Sequence, residues 1–135
     1  MSARSLRGTS VLVVDDNEHM LTLVGTILGA FGVESVGTAS NARDALAHLR
    51  SIATDLMICD LDMKPTDGIA LVRMVRSANG SLDPALPIIM LSAHEEPENV
   101  AAARDAGVDA YMIKPVSVRA LYEYVIAVMA GRGAG

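Results

Sequence analysis

The 135-residue chain is long enough for one compact domain, with 51% hydrophobic and 20% charged residues. Its net charge of −5 argues against a sequence-independent grip on nucleic acid, which rests on Lys and Arg neutralising phosphates. No apolar run approaches the roughly 18 residues that span a bilayer, so membrane insertion is not expected; the short run after Arg4 and Arg7 cannot be a signal peptide.

Two hydrophobic periodicities alternate along the chain. An apolar run at 10–14 predicts a first strand. Met20, Leu23, Val24, Ile27, Leu28 and Phe31 then recur at spacings of three and four, a helical stripe that Gly32 stops. A second strand is predicted at 33–38 and a helix over 41–52, carried by Ala42, Ala45, Leu46 and Leu49. A third strand at 56–59 leads to a helix over 68–78 built on Ile69, Val72 and Val75. A fourth strand at 86–91 precedes a short Ala-rich helix at 97–106, ended by Gly107. A fifth strand at 110–113 and a helix over 118–129 complete the series.

Five strands alternating with five helices predict an α/β fold, a parallel sheet with helices on both faces. Continuous apolar strands such as Val11-Leu12-Val13-Val14 fit burial on both sides. Aromatics are limited to Phe31, Tyr111, Tyr122 and Tyr124, so the core must consist of Val, Ile, Leu, Met and Ala. Cys59 is the only cysteine. It excludes an internal disulfide, favours a cytoplasmic setting and reads as a buried, inert thiol. Residues 1–130 are assigned to this single domain and 131–135 to a flexible tail.

Nine of the sixteen acidic residues fall in three clusters: Asp15, Asp16 and Glu18; Asp60, Asp62 and Asp67; Glu95, Glu96 and Glu98. Ligands of open parallel sheets bind at the carboxyl ends of the strands. Those ends carry Asp15 and Asp16, then Asp60, then Ser92, then Lys114. Each alone has a plain structural reading: Asp15-Asp16-Asn17 as a helix cap, Lys114-Pro115 as a turn. Four segments delivering this set to one edge is poorly explained by chance.

Mg²⁺ prefers a few carboxylates with water and phosphate oxygens, so Asp16 and Asp60 are candidate ligands, with Asp15 acting directly or through water. A carboxylate can also attack phosphorus and form an aspartyl phosphate. Such a transfer depends on positioning and on neutralising oxygen charge. Lys114, one of only two lysines beside nine arginines, offers a compact cation, and Ser92 a hydrogen bond.

These pieces resemble the receiver domain of bacterial two-component response regulators. The resemblance rests on Val11-Leu12-Val13-Val14-Asp15-Asp16-Asn17, Cys59-Asp60-Leu61-Asp62-Met63-Lys64-Pro65-Thr66-Asp67-Gly68, Ile89-Met90-Leu91-Ser92-Ala93 and Asp109-Ala110-Tyr111-Met112-Ile113-Lys114-Pro115. It implies a doubly wound, flavodoxin-like sheet of order 2-1-3-4-5. Asp60 would be the phosphoacceptor, phosphorylated from a phosphohistidine of a sensor histidine kinase or phosphotransfer protein. Mg²⁺, with Mn²⁺ as a substitute, would be held by Asp15, Asp16, Asp60 and the backbone carbonyl of Asp62. Lys114 would bind the phosphoryl group, Ser92 would sense it, and Tyr111 would act as the aromatic switch. The Lys114–Pro115 peptide is expected to be cis.

The family further implies a downstream protein partner on the face of the fourth helix, fifth strand and last helix, for which Val100, Ala103, Arg104, Met112, Arg119 and Tyr122 are the candidates. The resemblance also implies that the chain catalyses only its own phosphorylation and dephosphorylation. With no linker or second core visible, a stand-alone regulator is expected ahead of a receiver excised from a longer protein. Lys64 and Thr66 depart from the commonest family loop. Asp62 adds a carboxylate near the site, and His94 overlooks it; both bear on how long a phosphoryl group would persist. His19 and His48 read as surface helix residues.

Two rivals differ in class. Asp60-Leu61-Asp62 after an apolar strand resembles the opening motif of haloacid-dehalogenase-type phosphatases, but here the acidic pair precedes it. A receiver-like interaction module that takes no phosphate is disfavoured because all the site residues are present.

Overall fold

The computed structural model describes residues 6–78 and 82–134. The elements follow in strict alternation: β1 Ser10–Val14, α1 Glu18–Ala30, β2 Ser35–Ala39, α2 Ala42–Ser51, β3 Leu56–Asp60, α3 Gly68–Arg76, β4 Ile88–Ser92, α4 Pro97–Ala106, β5 Ala110–Ile113 and α5 Val118–Ala134. All strand pairs are parallel, in the order β2-β1-β3-β4-β5. This is the expected doubly wound arrangement, with order reversing between β1 and β3.

Side chains alternate across a strand, and the apolar strands therefore feed two cores. Leu12, Val14, Met57, Cys59, Ile88 and Met90 face α2, α3 and α4. Val11, Val13, Leu56, Ile58, Ile89 and Leu91 face α1 and α5. Each aliphatic side chain so buried contributes about 1.5–3 kcal/mol. The edge strand β2 is only partly covered, and His48 of α2 lies over Gly37, where a Cβ would collide with the imidazole. His48 is thus half-buried packing, a closer role than the surface position read from the sequence.

Local signals explain most boundaries. Asn17, Asn41 and Asp67 cap α1, α2 and α3 by accepting from Met20 N, Asp44 N and Ala70 N. Gly107 ends α4 with φ of 112°, a left-handed conformation that suits glycine. β2 starts two residues later than expected, and β3 and β4 each extend one residue further, so that Asp60 and Ser92 are themselves in strands. The last helix continues to Ala134, past the expected end at 129, through backbone that the sequence assigned to a tail; only Gly135 of that stretch lies outside the described residues. Glycine weakens a helix by roughly 1 kcal/mol without forbidding it. Among the described residues no helix is long and apolar enough to cross a membrane.

Candidate functional site

The carboxyl ends of β1, β3, β4 and β5 converge on one crest. Asp15 follows β1, and its backbone N–H donates to Ala39 O at 3.0 Å. One side-chain oxygen of Asp15 accepts from Asn17 N at 2.9 Å, so the acid also braces the start of α1 while Asn17 does the capping. Asp15 and Asp60 are each 3% exposed and Ser92 is fully buried, whereas Asp16 is open to solvent. One oxygen from each of Asp15, Asp16 and Asp60 lies within 4.8 Å of the others, the only metal-competent cluster among the described residues. A hard divalent cation fits three carboxylates so placed.

Lys114 reaches into the cluster from the end of β5. Its Nζ donates to Asp60 Oδ1 at 2.7 Å and lies 3.8 Å from Asp15 Oδ2. Its own backbone N–H donates to Ser92 O at 2.8 Å, fixing the approach. The Lys114–Pro115 peptide is cis, as the resemblance implies, and Lys64–Pro65 is cis as well.

The electrostatics follow from this packing. Burial pushes both Asp60 and Asp15 above the ordinary carboxylate range, against the opposing pull of Lys114 on each and the Asn17 N–H on Asp15. Burial alone would lower Lys114, but its hydrogen bond and charge interaction with Asp60 outweigh that and hold it above the usual lysine value. Cys59, fully buried beside Asp60, is pushed up by burial and stays a thiol, in keeping with an inert role.

Ser92 and Tyr111 are linked through one backbone position. Ser92 Oγ accepts from His94 N at 2.9 Å, and Tyr111 OH donates to His94 O at 2.8 Å. The His94 ring bridges Asp62 at 3.0 Å and Glu96 at 3.4 Å. The Asp62 hydrogen bond holds its pKa above the usual imidazole value. Asp62 thus directs its carboxylate to His94. A groove of about 340 Å³ beside the crest is lined by Asp16, Asp62, Lys64, Asp67 and His94 among others.

The six residues expected on a partner face do not share one surface. Ala103 and Met112 are 0% and 3% exposed and belong to the core, which corrects their placement. Helical spacing identified α4's small apolar residues but not which side meets the sheet, and strand alternation turns Met112 away from Tyr111 toward the α1–α5 core. Tyr122 is half-buried, its ring edge-on at 5.0 Å to Phe31, the residue just after α1. Val100 is half-buried; Arg104 and Arg119 are exposed.

Sequence reasoning missed Gly68. A Cβ there would run into the Asp60 carbonyl oxygen, and Gly68 N donates to Leu61 O at 2.9 Å. Asp67-Gly68 between a strand and a helical stripe was the available signal.

Fold and crest together define a flavodoxin-like α/β protein whose switch point holds a buried, lysine-guarded carboxylate cluster. The chain belongs to the response regulator receiver domain family, whose model matches residues 11–126. It is 35% identical over 113 residues to the transcriptional regulatory protein ZraR of Salmonella typhimurium, covering 84% of this chain and 24% of that protein. It is 33% identical over 106 residues to ZraR of Escherichia coli K12, covering 78% and 23%. The chain thus spans about a quarter of the length of these curated relatives. Among solved structures, the Francisella response regulator 1452 receiver domain superposes with a TM-score of 0.83 at 27% identity, covering 93% of this chain and 99% of that one. Vibrio cholerae chemotaxis protein CheY4 gives 0.82 at 29% identity, covering 89% and 98%. Receiver domains are signalling modules of two-component systems that interact with histidine kinases or phosphotransfer proteins.

Proposed function

We propose that Asp60 accepts a phosphoryl group from a phosphohistidine donor, a sensor histidine kinase or phosphotransfer protein in the cytoplasm, and that this switches binding of a downstream protein. The observation that carries the proposal is the Lys114–Asp60 contact at 2.7 Å inside the three-carboxylate cluster. A cation bound at one acceptor oxygen leaves the other carboxylate oxygen to act as nucleophile. Asp15, Asp16 and Asp60, with the Asp62 carbonyl, would hold Mg²⁺ or Mn²⁺, which supplies charge neutralisation for the phosphoryl oxygens.

The remaining chemistry belongs to the chain's own side chains. Asp60 attacks phosphorus; the P–N bond to the donor histidine breaks, and its electron pair returns to the imidazole. Lys114 moves from the acceptor carboxylate to the new phosphoryl oxygens, and the Ser92 hydroxyl donates to another. Ser92 is tied to His94, and His94 to Tyr111, so that shift reaches β5 and α4. The exposed Arg104 and Arg119, with the half-buried Val100 and Tyr122, remain the partner-facing set. Turnover is confined to the protein's own phosphorylation and dephosphorylation. Intact mass after incubation with acetyl phosphate tests this: one phosphoryl group gained only with Mg²⁺, and none in Asp60→Asn, is expected. No gain in a folded protein under rapid quench would overturn the proposal.

A further inference from the structure

We propose that Arg76 clamps the far end of α4 and makes that helix pivot about Gly107 when its near end responds to the phosphoacceptor crest; the pivot rests on the switching role proposed above. Arg76 stands in the last turn of α3, with its side chain 21% exposed. Its five N–H donors make five bonds. Nε and Nη2 both donate to Gly107 O, at 2.9 and 2.7 Å. Nη1 donates to Pro84 O at 2.9 Å and Leu86 O at 2.6 Å. Nη2 also reaches Asp109 Oδ2 at 3.1 Å, the same oxygen that accepts from Ile88 N at 2.8 Å. One planar guanidinium therefore joins the end of α3, the entry to β4 and the turn from α4 to β5. Lysine, with no fork of donors, could not do this. The turn is shaped to receive it, since a Cβ on Gly107 would come within 2.9 Å of Arg76 Nε.

The crest end of α4 is held differently. Glu96 precedes the helix without a side-chain cap bond. His94, two residues before Glu96, is held by the part-buried bonds to Ser92 and Tyr111, but the contacts of the helix start itself are exposed: Asn99 Nδ2 to Glu96 Oε1 at 2.9 Å, and the His94 ring to Asp62 and Glu96. Exposed ion pairs of this kind hold weakly. The fully packed residues of α4, Ala103 and Ala106, both lie in its half nearest the clamp. Their small side chains let the helix tilt without opening a large void. Over a helix of this length, about 14 Å at 1.5 Å per residue, a tilt of roughly 10° carries the crest end about 2 Å.

Introduced cysteines can be labelled selectively, because Cys59 is buried. Spin labels at Glu98→Cys or Asp105→Cys, each paired with Arg43→Cys on α2, report the two ends of α4 by pulsed electron paramagnetic resonance. With Mg²⁺ and beryllium fluoride as phosphoryl mimic, the 98–43 distance should shift by about 2 Å while the 105–43 distance holds. In Arg76→Gln the 105–43 distance should shift too. Equal shifts at both ends in the wild type, or an unmoved 105–43 distance in the variant, would overturn the pivot. A second measurement needs no ligand: amide hydrogen exchange of resting Arg76→Gln and Arg76→Lys should accelerate about tenfold or more at 103–108 relative to 57–59. Uniform acceleration everywhere would overturn the clamp. If Mg²⁺-dependent phosphorylation of Asp60 also fails, the switching role is what has failed, and the exchange result alone decides the clamp.

Discussion

Asp15→Asn should stabilise the metal-free protein at neutral pH. Asp15 and Asp60 oxygens within 4.8 Å of each other repel by about 3.5 kcal/mol at an effective dielectric constant near 20. Lys114 at 3.8 Å from Asp15 returns about 4.4 kcal/mol on the same scale, so these two interactions nearly cancel, and solvent-exposed Asp16 adds a further, screened repulsion. Burial of a carboxylate that is 3% exposed is then left to decide the sign, and it disfavours the ion. Asparagine keeps an oxygen for Asn17 N and carries no charge. The expected gain is about 1–2 kcal/mol, roughly 4–8 °C in Tm for a domain of this size. Urea unfolding followed by circular dichroism in EDTA measures it. Because the folded pKa values of Asp15 and Asp60 are raised, the folded state binds more protons than the unfolded chain above the ordinary carboxylate value. Wild-type stability is thus greatest at acidic pH within that window and falls as pH rises through the folded values. His94, also raised, acts in the same direction around its own range. Mg²⁺ should stabilise the wild type and do little for Asp15→Asn. A metal-free Asp15→Asn that is less stable than the wild type, or a wild type that weakens on going from pH 7.5 to 5, would refute the reasoning.

Three further outcomes are expected. Lys114→Met strands two buried carboxylates and should cost about 1–2 kcal/mol in the metal-free state, less than for a fully buried pair because Lys114 is 25% exposed; urea midpoints with and without Mg²⁺ should show the metal recovering part of the loss. Met112→Ala should cost about 2–4 kcal/mol, as a core truncation does, against under about 0.5 kcal/mol for Arg119→Ala at the surface. Gly68→Ala should cost roughly 2 kcal/mol or more and reduce phosphoryl incorporation from acetyl phosphate, because its Cβ displaces the Asp60 backbone.

What the sequence made legible was what periodicity and strand ends encode. Val11-Leu12-Val13-Val14 and Ile88-Ile89-Met90-Leu91 announce two-sided burial, and the parallel topology follows from the alternation of elements. Asp15, Asp60, Ser92 and Lys114 sit where the chain leaves the sheet, so their convergence could be anticipated before any distance was known. Facing was harder. Ala103 and Met112 read as surface because the resemblance puts a partner on the face of α4, β5 and α5, and only packing fixes which side of α4 meets α3 and the sheet and which side of β5 meets the α1–α5 core. Arg76 was illegible, since its partners are carbonyls of Pro84, Leu86 and Gly107, and a backbone oxygen has no sequence signature. His94 was visible as a neighbour of the site, but its ring contacts with Asp62 and Glu96 join two separate loops and depend on the fold.

The order of the strands divides the crest by role. β1 and β3, on either side of the switch point, bring the three carboxylates, while β4 and β5, further along the same edge, bring Ser92, Tyr111 and Lys114. Lys114 is the one side chain that reaches from the second group into the first. Any added negative charge on Asp60 must therefore alter the balance at Lys114, whose backbone is bonded to Ser92, whose hydroxyl holds His94, whose carbonyl holds Tyr111. The carboxylates that repel one another in the metal-free state are the ones that a cation and a phosphoryl group would jointly satisfy. The strain at the crest and its capacity to switch thus have one origin, the burial of like charges at the end of an otherwise apolar sheet.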